Sequence, residues 1–298
     1  MIVLINFFHT TLMDTELLKT FLEVHRTRHF GRAGENLFIT QSAVSARIRQ
    51  LEESLGVKLF HRERNDIKLT AAGERMVKHA EAMLSAWHRA VQDTALDEAY
   101  KLSLSIGGMY SLWDILAQNW MHKLNAERPD IALQVEAQSH EVLLRKLLDG
   151  VLDIAFMFEP VHLAKLLVKE IATIELIMVA NQKELTVEQA LEGQYIMVDW
   201  GTSFAVNHVQ LFPNMPPASI HMGLGRIAQA FILERGGAAY LAHPMVAEHL
   251  TNGLLFPVKD APVIQRTAYA LYPSGGERHS LIEEALKLFD LSSNPSVG

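Results

Sequence analysis

Apolar residues recur at helical spacing in one short stretch. Val44, Ile48, Leu51 and Leu55 are separated by four, three and four positions. That is a single stripe on a helix with a period near 3.6. Thr40 stands just ahead of it as an N-cap and Gly56 just behind it as a C-cap. Near its start the opposite face carries Ser42, Ser45, Ala46 and Arg49, slim or small residues with one long donor. A purely solvated face is usually dense in Glu and Lys. A face that enters a DNA groove needs close approach, and donors for base edges and phosphates. Gln41, at the helix start, is expected to face the same groove.

The flanking pattern places this helix third in a small module. Leu17, Leu18, Phe21, Leu22 and Val24 make one apolar face over Asp14 to Val24. "HFGRAGENL" follows as a short second helix, with Phe30, Ala33 and Leu37 inward and Arg32 outward. Past Gly56, two extended runs, Lys58 to His61 and Ile67 to Leu69, flank the polar turn Arg62 to Asp66. This is a hairpin signal with Arg62 and Arg64 at its tip. Three helices and a basic hairpin are the order of a winged helix-turn-helix, whose last helix enters the major groove while the wing touches the backbone. From Thr70 a longer helix is predicted. In it Val77, Ala80, Leu84, Trp87 and Val91 recur at 3, 4, 3, 4. That is an a/d seam over two heptads, although a core stripe has the same spacing.

From Tyr100 the pattern changes to strand and helix in alternation. "KLSLSIGG", "IALQVEA" and "LDIAFMF" read as strands, with helices over "LWDILAQNWMHKLNAERP" and "HEVLLRKLLDG" between them. A second set runs from "ELIMVA" through "YIMVDW", "ASIHM", "AAYLA" and "LLFPV" to "RTAYALYP", with helices over "GRIAQAFILERG" and "GERHSLIEEALKLFDL". Such alternation predicts βαβ units and a parallel sheet. Ligands in α/β sheets bind beyond the carboxyl ends of the strands. Two loops fall there. Gly108, Met109, Tyr110, Ser111 and Trp113 follow the first strand, and Trp200, Gly201, Thr202 and Ser203 follow "YIMV". Amides and hydroxyls at a helix N-terminus suit an anion or a carbonyl. The same residues also serve ordinary ends: core packing for the tryptophans, capping for the hydroxyls.

Composition narrows the chemistry. The 298 residues suffice for two or three domains, and 49% hydrophobic with 20% charged is ordinary for a globular chain. There is no cysteine, which excludes disulfides, thiolate metal sites and thiol catalysis. The net charge of -7 is unevenly spread. Between Arg26 and Lys68 there are nine basic and five acidic residues, whereas from Glu98 onward 14 basic face 22 acidic. A small basic patch on an acidic body suits a separate DNA-reading module. "MIVLINFFHTTL" lacks a basic region and is too short to span a bilayer. It reads as a disordered extension, 1–12, ahead of a start at Met13. The fourteen histidines include no HExxH, and His243 and His249 lie off one helical face, so no metal site is expected. "GLGRIA" is an isolated nicotinamide-type motif deep in the chain, and no GxSxG elbow appears. No catalytic residue and no cofactor are expected.

The run from Met13 to Glu74 resembles the DNA-binding domain of LysR-type transcriptional regulators. Phe21, Ala33, Leu37, Thr40, Gln41, Ala43, Val44, Ser45, Ile48, Leu51, Glu52, Leu55, Gly56, Leu59, Phe60, Arg62, Leu69, Thr70 and Gly73 carry the likeness. "LDGVLDIAF" matches the family's effector domain. Gly34 stands at a matching position that is usually Ala. Two positions depart from the pattern, Ser42 (commonly Pro) and Ala46 (often Arg), while Arg47 and Arg49 stay basic and are both expected to contact DNA. The resemblance implies a winged helix-turn-helix at 13–70 and a linker and dimerisation helix at 71–99. It also implies a two-subdomain α/β effector domain at 100–298, akin to periplasmic binding proteins. Subdomain I then covers about 100–176 and 267–298, and subdomain II about 177–266. The implied function is a cytoplasmic regulator, a homodimer or homotetramer on an interrupted palindrome in double-stranded DNA. A small-molecule effector would modulate it, and RNA polymerase access would be the outcome. "SLWDIL", "RTRHFGRA" and "WGTSF" are most similar to a subgroup of flagellar-operon repressors, which implies flagellar master genes as targets. The alternatives are a solute-binding module without DNA function and, more remotely, a nicotinamide-dependent enzyme.

Overall fold

The computed structural model describes residues 14–63, 66–94 and 100–289. The expected extension 1–12 and Arg64 lie outside them. The chain divides into two compact units, taken in turn.

The N-terminal unit is built from α1 (Thr15–Thr27), α2 (Phe30–Leu37), α3 (Gln41–Leu55), β1 (Phe60–Glu63), β2 (Asp66–Leu69) and α4 (Ala71–Thr94). Its helices begin where side chains can satisfy their first amides. The Asp14 carboxylate accepts the Glu16 amide, and Thr40 Oγ1 accepts that of Ala43. His29 caps α2, its Nδ1 accepting the amides of Gly31 and Arg32. Phe21, Val44, Ile48 and Ala33 are fully buried in one core, and the Phe60 ring packs 5.4 Å from that of Phe21. The expected turn is shorter than its polar run. Arg62, Glu63 and Asp66 belong to the strands, with Glu63 opposite Asp66 in an antiparallel ladder. Backbone pairing continues through polar residues.

The larger unit holds β3 (Leu102–Gly108), α5 (Tyr110–Leu112), a π-helical turn at Trp113–Ala117, α6 (Gln118–Glu127) and β4 (Ile131–Ala137). There follow α7 (His140–Leu148), β5 (Ile154–Met157), β6 (Leu166–Ala180), α8 (Val187–Glu192), β7 (Ile196–Val198) and α9 (Thr202–Leu211). Then come β8 (Ile220–Met222), α10 (Gly225–Arg235), β9 (Ala238–Ala242), α11 (His243–Thr251), β10 (Phe256–Pro257), β11 (Ile264–Pro273) and α12 (His279–Leu286).

The sheet is mixed, which corrects the expectation of a parallel one. Its order is β10-β6-β11-β5-β3-β4, with β9 also on β6. β3, β4 and β5 are parallel, as are the separate β7 and β8, whereas β11 runs antiparallel to both β5 and β6. β5 and β6 run in the same direction but do not touch, because β11 lies between them and pairs antiparallel with each. β6 is also longer than "ELIMVA" suggests, because its first half alternates with Lys169, Glu170 and Thr173 and lacks a continuous apolar run.

β6 and β11 pair along almost their whole length, from Leu166 with Pro273 to Leu176 with Ile264, so both strands pass through the expected subdomain borders. A bulge at Ile171 interrupts the ladder between Ala268 and Tyr269. The C-terminal helix packs back on the β3–β5 half, where the Trp120 indole donates to the Ala285 carbonyl at 2.8 Å. Asp153, in the family-like "LDGVLDIAF", accepts from the Ser105 amide at 2.8 Å and from Arg278 at 3.0 Å. It fastens β3 to the approach of α12.

Candidate nucleic-acid interface and ligand cleft

α3 divides cleanly into two faces. Val44, Ile48 and Leu51 are buried, while Gln41, Ser42, Ala46, Arg49 and Gln50 are exposed and Ser45 is half-buried. Arg49 donates through Nε to the Ser45 carbonyl at 3.3 Å, which lays its side chain along the exposed face. Ser42 Oγ lies 2.9 Å from Thr40 Oγ1 at the helix start. Arg32 is exposed on α2. Arg47 is half-buried, and its Nη1 donates to Glu16 Oε2 and Thr20 Oγ1, both at 3.3 Å. That side chain ties α3 to α1. Arg62 lies on β1, and its side chain is outside the described atoms.

Glu52 is a residue whose structural role the sequence reading missed. It is 3% exposed and points from α3 to the wing. Its Oε1 accepts the Leu59 amide at 2.9 Å, and its Oε2 accepts from Lys58 Nζ at 2.8 Å. Burial alone would raise this carboxyl. The Lys58 ammonium and the two amides of Leu59 and Phe60 outweigh burial and hold it below the usual range. A glutamate one position beyond the last core Leu of a helix, just before a hairpin, was the available signal.

The turn from α2 to α3 is tight. The Ile39 amide donates to the Gly34 carbonyl at 2.9 Å, and a Cβ on Gly34 would stand 2.7 Å from the Ile39 carbonyl oxygen. The departure from the family's alanine thus coincides with a backbone approach that only glycine fits.

On α4 the expected seam divides. Ala80 and Leu84 are buried in the unit's own core and Val77 packs partly against it. Trp87 is 53% and Val91 48% exposed.

The two loops of the larger unit take unequal roles. Trp113 is half-buried over Gly108, and its indole donates to the Glu136 carbonyl at 2.9 Å. Trp200 is 1% exposed and donates to the Tyr240 carbonyl at 2.9 Å. Both indole N–H groups are therefore taken by backbone carbonyls, and Gly225 leaves room for the Trp200 ring. Tyr110, Thr202 and Ser203 are exposed, whereas Met109 and Ser111 are half-buried. α9 starts at Gly201, with φ of 89° and no side-chain cap among the described residues. A cleft of about 410 Å³ opens beside it at the carboxyl ends of β7 and β8, lined by Asp199, Gly201, Phe204, His221, Met222 and Gly223.

Arg226 in the first turn of α10 reaches Asp114 in the π-helical turn, Nη2 to Oδ1 at 2.6 Å. The Asp114 carboxylate raises the Arg226 guanidinium further above its ordinary value. π-helical turns within α-helices cluster at functional sites. Arg266 and Glu159 pair at 2.6 Å beside Gly201. Neither acid-base pair was read from the sequence. Arg266 had a signal, because it shares the two-residue period of Ile264, Ala268 and Ala270 and so falls on the core face.

Comparison with known proteins agrees across both units. Residues 15–74 match the bacterial regulatory helix-turn-helix protein, lysR family, and residues 99–290 match the LysR substrate binding domain. The HTH-type transcriptional regulator HdfR of Yersinia enterocolitica is 36% identical over 284 residues, 92% of this chain and 96% of that protein. HdfR of Yersinia pestis (strain Pestoides F) is 34% identical over the same shares. Among solved structures, a full-length OxyR variant from Pseudomonas aeruginosa has a TM-score of 0.58 at 21% identity, covering 95% of this chain and 96% of that one. Vibrio fischeri DarR in complex with DNA has a TM-score of 0.56 at 19% identity, covering 94% and 99%. These two show a shared fold.

Proposed function

The chain belongs to the LysR family of DNA-binding transcriptional regulators, and on that premise we propose which residues read DNA and what the larger unit senses. In this reading Gln41, Ser42, Ser45 and Arg49 meet base edges in the major groove, with Arg32 on the flanking phosphates. Arg62 and Arg64 carry the wing to the backbone. Arg47 acts indirectly by fixing the angle of α3 against α1. The observation that carries the reading is the split of α3, with Val44, Ile48 and Leu51 buried behind an exposed face of small polar residues and one arginine.

The finer parts of the reading follow from the family's architecture. The domains divide after residues 70 and 99, with the effector domain split near 176 and 266. The protein pairs through the exposed Trp87 and Val91 of α4, as a dimer or tetramer on an interrupted palindrome. A small effector enters between the halves of the larger unit, by way of Gly108 to Trp113 and Gly201 to Ser203. Its binding shifts the spacing of the paired DNA-binding units and so the access of RNA polymerase. The setting is the cytoplasm. Among the described residues no helix is long and apolar enough to cross a membrane. The likeness to HdfR extends the reading to flagellar master genes as candidate targets.

The test is selection of bound fragments. The purified protein is mixed with sheared DNA of its own host at fixed, near-physiological salt, because non-specific attraction dominates in dilute buffer. A discrete set of sites with a two-fold motif is expected, and flagellar promoters among them carry the target assignment. Uniform recovery of all fragments overturns the reading.

A further inference from the structure

β11 places a cation on the core side of a sheet. Arg266 is 5% exposed and sits in line with Ile264 and Ala268. Buried charges are rare unless paired. The guanidinium carbon lies 4.8 Å from the centre of the Phe158 ring. Nη2 donates to Glu159 Oε1 at 2.6 Å. Nε is buried and finds no acceptor among the described residues. The Nε–H and the inward Nη2–H share one edge of the planar guanidinium, and that edge matches both oxygens of one carboxylate. Glu159 engages one prong and leaves the other empty.

The same carboxylate stands at the start of α9. A Cβ on Gly201 would be 2.6 Å from Glu159 Oε1 and 3.0 Å from Arg266 Nη2. α9 runs for ten residues and lacks a side-chain cap among the described residues. Its first amides and its positive end therefore border an acid supplied by the β3–β5 half of the unit. The Glu159 side chain is 36% exposed and Arg266 5%. Glu159 is the half of the pair free to swing away.

We propose that Glu159 is a built-in occupant of a two-pronged carboxylate site formed by Arg266 and the N-terminus of α9. A small effector bearing a carboxylate binds by taking Arg266 from it. This rests on the reading of the larger unit as an effector sensor. Asp114 and Arg226 form a second acid–arginine pair, with the arginine in the first turn of α10. A ligand acid competes with Glu159 for Arg266.

The probe is sodium acetate, titrated against sodium chloride at equal ionic strength, with the melting temperature of the full-length protein as readout. Acetate stabilises Glu159→Gln saturably at concentrations about tenfold below those that act on the wild type, and chloride does not reproduce the effect. Identical acetate curves for the two proteins overturn the proposal. Glu159→Asp, one methylene short of Nη2, carries the same expectation and the same overturning result should the glutamine variant not fold. Adding Arg266→Gln to Glu159→Gln abolishes the gain, and a gain that survives places acetate elsewhere and overturns the site.

A pair with a purely structural role would let acetate restore stability and leave DNA affinity alone. Affinity for the protein's own promoter fragment is therefore measured with and without acetate. A change of about threefold in the variant, absent in the wild type, is expected. No change overturns the effector role. Absence of promoter binding in every sample counts instead against the regulator reading and leaves the acetate result standing.

Discussion

The Glu52 carboxylate accepts the Leu59 amide at 2.9 Å, so α3 and the wing are locked to each other by one buried acid. The fold holds this carboxyl below its ordinary value of 4.5. A depressed acid contributes stability that is full above the unfolded-state value and is lost as pH falls toward the folded one. The N-terminal unit should therefore unfold more readily below about pH 4.5, in urea titrations followed by circular dichroism across pH 3 to 7. Glu52→Gln should lower stability at pH 7 and flatten that pH dependence. An unchanged slope refutes the assignment.

Gly34→Ala puts a methyl group 2.7 Å from the Ile39 carbonyl. The α2–α3 turn must open, at a cost of about 1–3 kcal/mol for overpacking. DNA affinity should fall along with stability, because the turn sets the entry of α3. A variant as stable as the parent, with unaltered promoter binding, shows that the turn yields freely.

The two arginines of α3 should separate by readout. Arg49→Ala lowers promoter affinity by about 1–3 kcal/mol if it reads a guanine, with little change in melting temperature. Arg47→Ala breaks the bonds to Glu16 and Thr20 and lowers the melting temperature instead. Anisotropy titrations and thermal melts on both variants check this, and reversed effects would exchange the two roles.

Trp87 is 53% exposed on the helix proposed to pair two copies. Trp87→Glu should weaken the dimer, with sedimentation shifting toward monomer at micromolar concentration. An intact dimer removes Trp87 from the interface.

In the larger unit Tyr195 Oη lies 2.7 Å from His208 Nε2, inside a box of Phe204, Phe212 and Tyr240. Burial holds His208 below its ordinary 6.5 and pushes the Tyr195 phenol up. The unfolded chain then binds the proton more readily, so this contribution to stability is complete above pH 6.5 and declines as pH drops below it. Tyr195→Phe leaves the imidazole nitrogen without its partner and should cost about 1–3 kcal/mol in chemical denaturation at pH 7.5.

Much of the N-terminal unit could be read from the chain alone, because its signals are local. Thr40 and Gly56 bound α3 where their capping chemistry predicts, and the apolar stripe picks the buried face for Val44, Ile48 and Leu51 but not for Leu55, which is exposed in the last turn. His29 as the cap of α2 was not legible, since imidazole is not a usual capping group and its role depends on ring orientation. The seam on α4 shows the limit of periodicity. Ala80 and Trp87 share a stripe, yet tertiary packing buries one and leaves the other exposed. In the larger unit strand positions were legible and strand direction was not. Period and propensity say nothing of which neighbour a strand will choose. The candidate cleft suffered similarly. Trp113 and Trp200 stood in the expected loops, but their indoles are spent on carbonyls, while the paired charges Arg226 and Arg266 come from elements far along the chain.

β6 and β11 run without a break from one half of the larger unit into the other. Two continuous ribbons, cross-linked rung by rung, do not fold at a joint the way a loop does. They behave as a torsion bar. Any opening of the halves spreads as a small twist over many rungs, with the bulge at Ile171 as the softest of them, and the ladder pulls the halves back when the load is removed.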